Sequence, residues 1–458
     1  MRRLCLVLAL LVCGPASLAE ASDGAWLLGE AVGLPQGLTF EATHRWRFEY
    51  LSDEFRAGRE GHENLTLVRT TAHAHWQVFE SLGVGAELAD SRAWANRRQV
   101  RLSTGLVNTA ALLRAYAELS KDGVLDGRLR AQGGRMTMDV GDRRLVARNR
   151  FRNTINNFTG IDVEWMGPGG SVARGFYTLP VQRYPVQQDD LRDADYGWDQ
   201  ETFDLQFWGL HGNRPIGALG LDATELFFYG LHERDRHRLP SRNRQIYTTG
   251  FRVKRDPAPG AFDFELESVI QFGQSRASTT TTEDLDHLAH FHHAELGYHF
   301  DAPCAPRLAL QYDYASGDDD QSDGRNNRFD TLFGAGRFDF GPTSLYGAFA
   351  RSNINSPGLR FQLKPLAWIS AFAAYRAFWL ASKNDFWTTA GLIDLTGDTN
   401  GFVGHQVEAR LRLDVLPGNL RLEGGVAHLF RGDFARNATG AVDEGDPTYF
   451  YVQAGLAF

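Results

Sequence analysis

From Thr39 to Tyr50 the chain reads TFEATHRWRFEY, twelve residues in which two kinds of side chain alternate. Phe40, Ala42, His44, Trp46, Phe48 and Tyr50 fall on one face, and Glu41, Thr43, Arg45, Arg47 and Glu49 on the other. Successive side chains of a strand point to opposite sides, so the segment presents one apolar and one charged surface. A single strand of this kind also suits a soluble sandwich, and the constraint comes from repetition. In AFDFELESVIQFG, Phe262, Phe264, Leu266, Ile270 and Phe272 oppose Asp263, Glu265, Glu267 and Gln271. In VGHQVEARLRLDVL, Val403, Val407, Ala409, Leu411 and Leu413 oppose Gln406, Glu408, Arg410, Arg412 and Asp414. PRLALQYDY and TFDLQFWG repeat the pattern, and noisier stretches bring the count close to eighteen, among them 65–79, 129–138, 342–351, 366–380 and the closing YFYVQAGLAF.

These segments are about ten residues long, the length at which a tilted strand crosses a bilayer. Some connections are short turns, such as Gly167-Pro168-Gly169-Gly170 and Pro417-Gly418-Asn419, while 182–201, 273–288, 315–330 and 431–447 are long and polar. Short turns on one side and long loops on the other predict an all-β, transmembrane antiparallel β-barrel of about 18 strands (16–18) over residues 22–458. Closure is required, because a bilayer core offers no water to free backbone groups. The run from Leu366 to Leu380 is apolar on nearly all sides and also reads as a helix, but it is too short to span and contains Arg376. As a strand it places Arg376 on the inner face.

The first 21 residues have a basic start (Arg2, Arg3), an apolar run and small residues at Ala16, Ala19 and Ala21, the layout of a secretory signal peptide. Only Cys304 lies beyond it, which excludes a scaffold held by several cystines. Among 48 basic residues only Lys121, Lys254, Lys364 and Lys383 are lysine, so the other 44 are arginine. Arginine presents a planar fork of donors to carboxylate or phosphate, which suits a protein that handles acidic groups at close range. A coding bias toward arginine gives the same ratio, and only the positions of the arginines separate the two.

Several blocks resemble the alginate export family of outer-membrane channels, in order along nearly the whole chain. They include Arg45-Trp-Arg47-Phe-Glu49, Leu65-Thr-Leu67-Val-Arg69, Glu87-Leu-Ala-Asp90-Ser91-Arg92, Gly134-Arg135, Gly141-Asp142-Arg143-Arg144, Arg152-Asn153-Thr154 and Ser316-Gly317-Asp318. Where the family has Phe-Asp-Gly, this chain reads Phe158-Thr159-Gly160, which removes one inner carboxylate unless Asp162 replaces it. The resemblance implies a constricted, electropositive lumen through which an acidic polysaccharide passes passively, with a periplasmic export scaffold as partner and a single chain as the working unit.

A charged side chain on the lipid face costs roughly 2–4 kcal/mol near the midplane, so the strand arginines are expected to face inward. The expected pore-lining set is Arg45, Arg47, Glu49, Arg69, Glu87, Arg92, Arg114, Glu118, Arg135, Arg376, Arg410 and Arg412. Arg144, Arg148, Arg152 and Asn153 join it from a turn or infolded stretch. Each arginine has two readings, contact with a polyuronate carboxylate or bracing against a neighbouring acid. The acidic loop Ser316–Gly324 lacks the glycine and terminal glutamate of an EF-hand counted from Asp318. In His290-Phe-His292-His293 alternation separates His293 from the other two, and a polar or interfacial strand is expected there in place of a metal site. No cofactor and no catalytic residue is expected: Gly-x-Ser-x-Gly, His-Glu-x-x-His and Gly-Lys-Ser/Thr motifs are missing, and the dispersed basic residues do not suit nucleic acid. The alternatives to polysaccharide export are a porin for small acidic nutrients and a barrel hydrolase.

Overall fold

The computed structural model describes residues 25–96, 100–236 and 240–458, and the signal peptide expected over residues 1–21 lies outside them. The alternating segments form strands β1 (Leu38–Leu51), β2 (Glu63–Phe79), β3 (Leu82–Ala95), β4 (Asn108–Val124), β5 (Gly127–Met136) and β6 (Phe158–Met166). They continue as β7 (Val172–Pro180), β8 (Leu205–Asn213), β9 (Ala223–Glu233), β10 (Gln245–Arg255), β11 (Ala261–Ser275) and β12 (Leu285–His299). The rest are β13 (Arg307–Ala315), the two-residue β14 (Arg325–Asn326), β15 (Ile354–Leu366), β16 (Ile369–Trp379), β17 (Phe402–Leu416), β18 (Leu420–Arg431) and β19 (Thr448–Ala457).

Each long strand pairs antiparallel with its neighbours, β13 pairs directly with β15, and β19 closes on β1 from Thr43↔Ala457 to Leu51↔Tyr449. The result is a closed, 18-strand all-β barrel, with β14 an appendage running parallel to β12. Closure pairs the edges that an open sheet would leave to the bilayer. The apolar run 366–380 is strand, not helix: β15 and β16 pair across a turn after Leu366, with a bulge beside it.

Burial is inverted relative to a soluble protein. Outward Trp46, Leu88 and Leu310 are 41%, 57% and 60% exposed, whereas inward Arg47 and Glu49 are 0% exposed. A continuous exposed apolar wall around a charged interior matches lipid outside and polar groups inside.

Two expectations about the loops are corrected. The stretch 342–351 is not a wall strand; it belongs to the long connection 316–353, which fills the interior. Its two aromatics, Tyr346 and Phe349, stand three residues apart and are both buried, with the Tyr346 ring stacked on Tyr449 at 5.4 Å, so a noisy alternation does not distinguish wall from filler. The loop expected over 273–288 shortens to 276–284 because β11 and β12 continue pairing to Ser275↔Leu285.

Candidate functional site: the barrel interior

Two infolded connections meet inside the barrel, 137–157 after β5 and 316–353 after β13. Val146 bridges to Phe333, and the Asn156 amide donates to the carbonyls of Ala147 (3.0 Å) and Phe333 (3.2 Å). A side chain at Gly334 would place its Cβ 1.7 Å from the Arg144 carbonyl oxygen, so glycine is what allows the two segments to touch.

Arg144 is the pin of this contact. Its guanidinium meets Asp142 from its own segment, Glu265 (2.5 Å) and Glu267 (2.6 Å) from β11, and Asp339 (3.2 Å) from the second segment. Burial works against its charge, but Asp142, Asp339 and the two glutamates outweigh burial and hold Arg144 well above the ordinary arginine value. Arg351 completes the knot, donating to the carbonyls of Arg144 (3.1 Å) and Ala335 (2.9 Å) and pairing with Asp339.

Asn153 anchors the other end of the first segment. Its amide nitrogen donates to the carbonyls of Val68, Arg92 and Leu106 at 3.2, 3.0 and 2.7 Å, and Ser91 Oγ donates to its backbone carbonyl at 3.0 Å. Arg45 donates to Asn153 Oδ1 (2.9 Å) and to the carbonyls of Arg150, Phe151 and Arg152 (2.8, 3.2 and 3.0 Å). Arg69 donates to the carbonyls of Arg150 and Arg152 at 3.2 and 3.1 Å. Both arginines therefore hold backbone rather than a carboxylate.

The remaining expected residues separate into braced and less braced groups. Arg47 pairs with Glu49 at 2.8 Å and lies 4.1 Å from the centroid of Phe151, while the other Glu49 oxygen accepts from the Leu345 amide at 2.9 Å. Arg114 pairs with Glu87, Glu118 with Arg130 at 2.7 Å, and Arg412 with Glu423 at 2.6 Å. Arg376 meets Asp313 at 2.5 Å and donates to both oxygens of Ser356. Arg410 sits 4.7 Å over Phe372. Arg148 reaches Glu87 only at 3.8 Å; burial lowers its pKa, Glu87 opposes, and Arg114 and Arg150 lower it further. Burial also lowers the pKa of Arg152.

Two residues face the other way. Arg92 shares the outward parity of Val84, Leu88 and Trp94, and pairs with Asp90 at 2.8 Å on the outer wall. Arg92 stands five positions after inward Glu87, an odd number, so alternating strand parity turns it outward. Arg135 pairs in register with Ala115 and Thr159 on the outward parity, where the Leu112 carbonyl (3.2 Å) and Glu201 of the 181–204 connection (2.5 Å) take its guanidinium. The ion pair and the overlying connection keep that charge from bare lipid. Asp339, Arg337 and Asn149 lie on infolded backbone with no periodicity to mark them, and Arg351 ends the stretch 342–351 that reads as wall strand and packs as filler.

Two cavities adjoin the infolded segment. One of about 510 Å³, toward the long loops, is lined by Arg56, Arg59, Asn149, Arg152 and Arg351 among others. The second, about 390 Å³ and toward the short turns, is lined by Arg45, Asn149, Arg150, Arg337, Arg410 and Arg412 among others. Asn149 borders both.

Similarity to solved structures extends over the whole barrel. OccAB3 of Acinetobacter baumannii superposes with a TM-score of 0.59 at 10% identity, covering 92% of this chain and 99% of that one. OccK9 (OpdG) of Pseudomonas aeruginosa gives 0.57 at 12% identity, covering 92% and 98%. OccK2 (OpdF) of P. aeruginosa, solved in complex with glucuronate, gives 0.54 at 12% identity, also covering 92% and 98%. No curated protein sequence matches the chain. Residues 36–446 match the alginate export family, and with the closed barrel and its apolar outer wall this establishes that the chain belongs to that family and is an integral outer-membrane β-barrel channel.

Proposed function

We propose that the channel passes an acidic exopolysaccharide, an alginate-like polyuronate, outward and passively, with the guanidinium groups around the 137–157 segment as its contact surface. The observation that carries this reading is the surplus of cation where β1 and β2 meet that segment. Among the described residues Arg45, Arg69 and Arg152 have no carboxylate within 4.0 Å, and Arg148 and Arg150 have only the longer contacts to Glu87 (3.8 Å) and Asp139 (3.4 Å). A polyuronate carries a carboxylate on every sugar, so such a cluster offers repeated contacts that exchange as the chain advances. Passage needs attraction enough to enter and little enough to leave, and the braced pairs such as Arg47–Glu49 moderate the pull.

Planar-bilayer recording tests this. Anion-selective conductance that polyuronate blocks supports the reading; cation selectivity, or equal block by a neutral glucan, rejects it. A second reading, uptake of small acidic solutes, draws on the same cationic surface and on the likeness to OccK2, solved with glucuronate. Permeation of small organic acids without polymer binding would favour it. Export further implies a periplasmic scaffold that delivers polymer to the short-turn end, and a ring closed within one chain makes a monomer sufficient for one pore.

A further inference from the structure

Two histidines with no part in the channel interior face outward from β12. His290 and His292 flank the buried Phe291 and are both exposed on the lipid side of the wall. His290 Nδ1 lies 3.1 Å from His292 Nε2. The second ring nitrogen of His292, Nδ1, is 3.0 Å from Ser268 Oγ on β11. The His290 ring stacks on Tyr314 of β13, with centroids 5.4 Å apart and planes 14° apart. Each imidazole is thus held by a neighbouring strand, and one nitrogen of each faces the other at hydrogen-bond distance.

With metal–imidazole bonds of about 2.0–2.1 Å, two ligands of a tetrahedral ion stand roughly 3.4 Å apart and two cis ligands of a square or octahedral ion about 2.9 Å apart. The observed 3.1 Å lies between these values, so the nitrogens already have ligand spacing, and an ion needs each ring to tilt by roughly 40° to aim its lone pair off the line between them. The site is also reachable. Phe262 and Tyr298 meet edge-to-face at 4.8 Å near the short-turn end of β11 and β12, and a tilted strand crosses the lipid in about 9–11 residues. Counted from Tyr298, that length ends beside His290, at the border where water and headgroups begin. The chain has a second His-x-His pair, His73 and His75 on the inner wall, which lacks this geometry. Its rings are 6.5 Å apart, and the Tyr116 hydroxyl lies within 3.2 and 3.4 Å of them.

We propose that His290 and His292 chelate a borderline divalent transition-metal ion, copper(II), nickel(II) or zinc(II), on the outer wall, with water or an anionic oxygen completing its coordination. In the tautomer that serves this role, His292 donates from Nδ1 to Ser268, and its Nε2 lone pair accepts from His290 Nδ1–H. When the ion arrives, that proton relocates to His290 Nε2 and both facing lone pairs bind the metal, with no net proton lost from the neutral rings. The pairing of Ser268 with the non-ligating nitrogen is the orienting contact that metal-bound histidines commonly have.

The test uses the full-length protein in detergent without a histidine tag, titrated with copper(II) and followed by equilibrium dialysis and electron paramagnetic resonance. The wild type is expected to bind one ion more than H290A/H292A and to show superhyperfine coupling to two nitrogens. S268A should keep the stoichiometry and weaken binding by about tenfold, and lowering the pH from about 7.5 to 5.5 should release the ion as the imidazoles protonate. H290Q serves as a second variant, and heat-resistant migration confirms that each barrel is folded. Equal stoichiometry in wild type and H290A/H292A, or a difference with only one coupled nitrogen, overturns the proposal.

Discussion

Arg376 and Asp313 face each other at 2.5 Å across the inner wall, with side chains only 2% and 0% exposed. Neither strand is next to the other: β15 lies between β13 and β16, and its Ser356 supplies the hydroxyl and carbonyl that take more of the guanidinium's hydrogens. The pair spans three strands, and with Arg376 removed the buried Asp313 keeps, among the described residues, only His293, whose Nδ1 lies 2.8 Å from its other oxygen. R376M is expected to destabilise the barrel by about 1–3 kcal/mol for the carboxylate oxygen left unsatisfied, read from the urea midpoint of unfolding. A variant within 1 kcal/mol of wild type would show that water reaches this pair.

The interior arginines without carboxylate partners are expected to set selectivity. R45Q/R69Q should lower the anion-to-cation permeability ratio and weaken polyuronate block by about tenfold, the equivalent of roughly 1.4 kcal/mol for one lost charge-assisted contact. R92Q, on the outer wall, should leave both quantities unchanged. Reversal potentials in a salt gradient measure the first and polymer titration the second.

Asn153 holds one end of the infolded segment through an amide that touches three carbonyls. N153L is expected to free that end, at about 1–3 kcal/mol for each buried group left unpaired. Single-channel traces should become noisier, and protease should cut within 137–157 in the variant but not in the wild type. A quiet, uncut N153L channel would place the restraint elsewhere.

Asp330 ties the second infolded segment to the long-loop end. It accepts from Arg244 at 3.1 Å and from the Leu332 amide at 2.9 Å. Burial raises its pKa, but Arg244 and Arg242 outweigh burial and bring it from 3.8 down to about 2. A depressed folded value means the stabilisation is complete above pH about 4 and is lost as the pH falls toward about 2, on the order of 2 kcal/mol. Hydrogen-exchange protection in residues 316–353, taken relative to the intrinsic exchange rate at each pH, should therefore fall over that window in wild type, while D330N should show the reduced protection at neutral pH. Unchanged protection between pH 5 and 2 would contradict the ion-pair account.

Much of the barrel was legible along the chain because strand parity is a local property. Arg45, Arg47 and Glu49 face inward wherever Trp46, Phe48 and Tyr50 face lipid, and no distant contact can change that without reversing the whole strand. The same rule, applied from Glu87, turns Arg92 outward, against the grouping of both in one block. Parity fails where the backbone leaves the ladder: β4 bulges where it meets β3, and the segment 342–351, expected as a strand, packs inside the barrel with no alternation of burial.

Sequence alone, through period-two alternation and the spacing of turns, determined that the chain builds a wall with an oily and a charged side, and roughly how many strands that wall holds. The tertiary structure alone decided which arginines are neutralised. Arg144 finds Glu265, Glu267 and Asp339 from two distant parts of the chain, whereas Arg45 finds only carbonyls. The physical reason is range: side-chain direction follows from adjacent residues, but the partner of a buried charge depends on where an infolded backbone with no periodicity comes to rest.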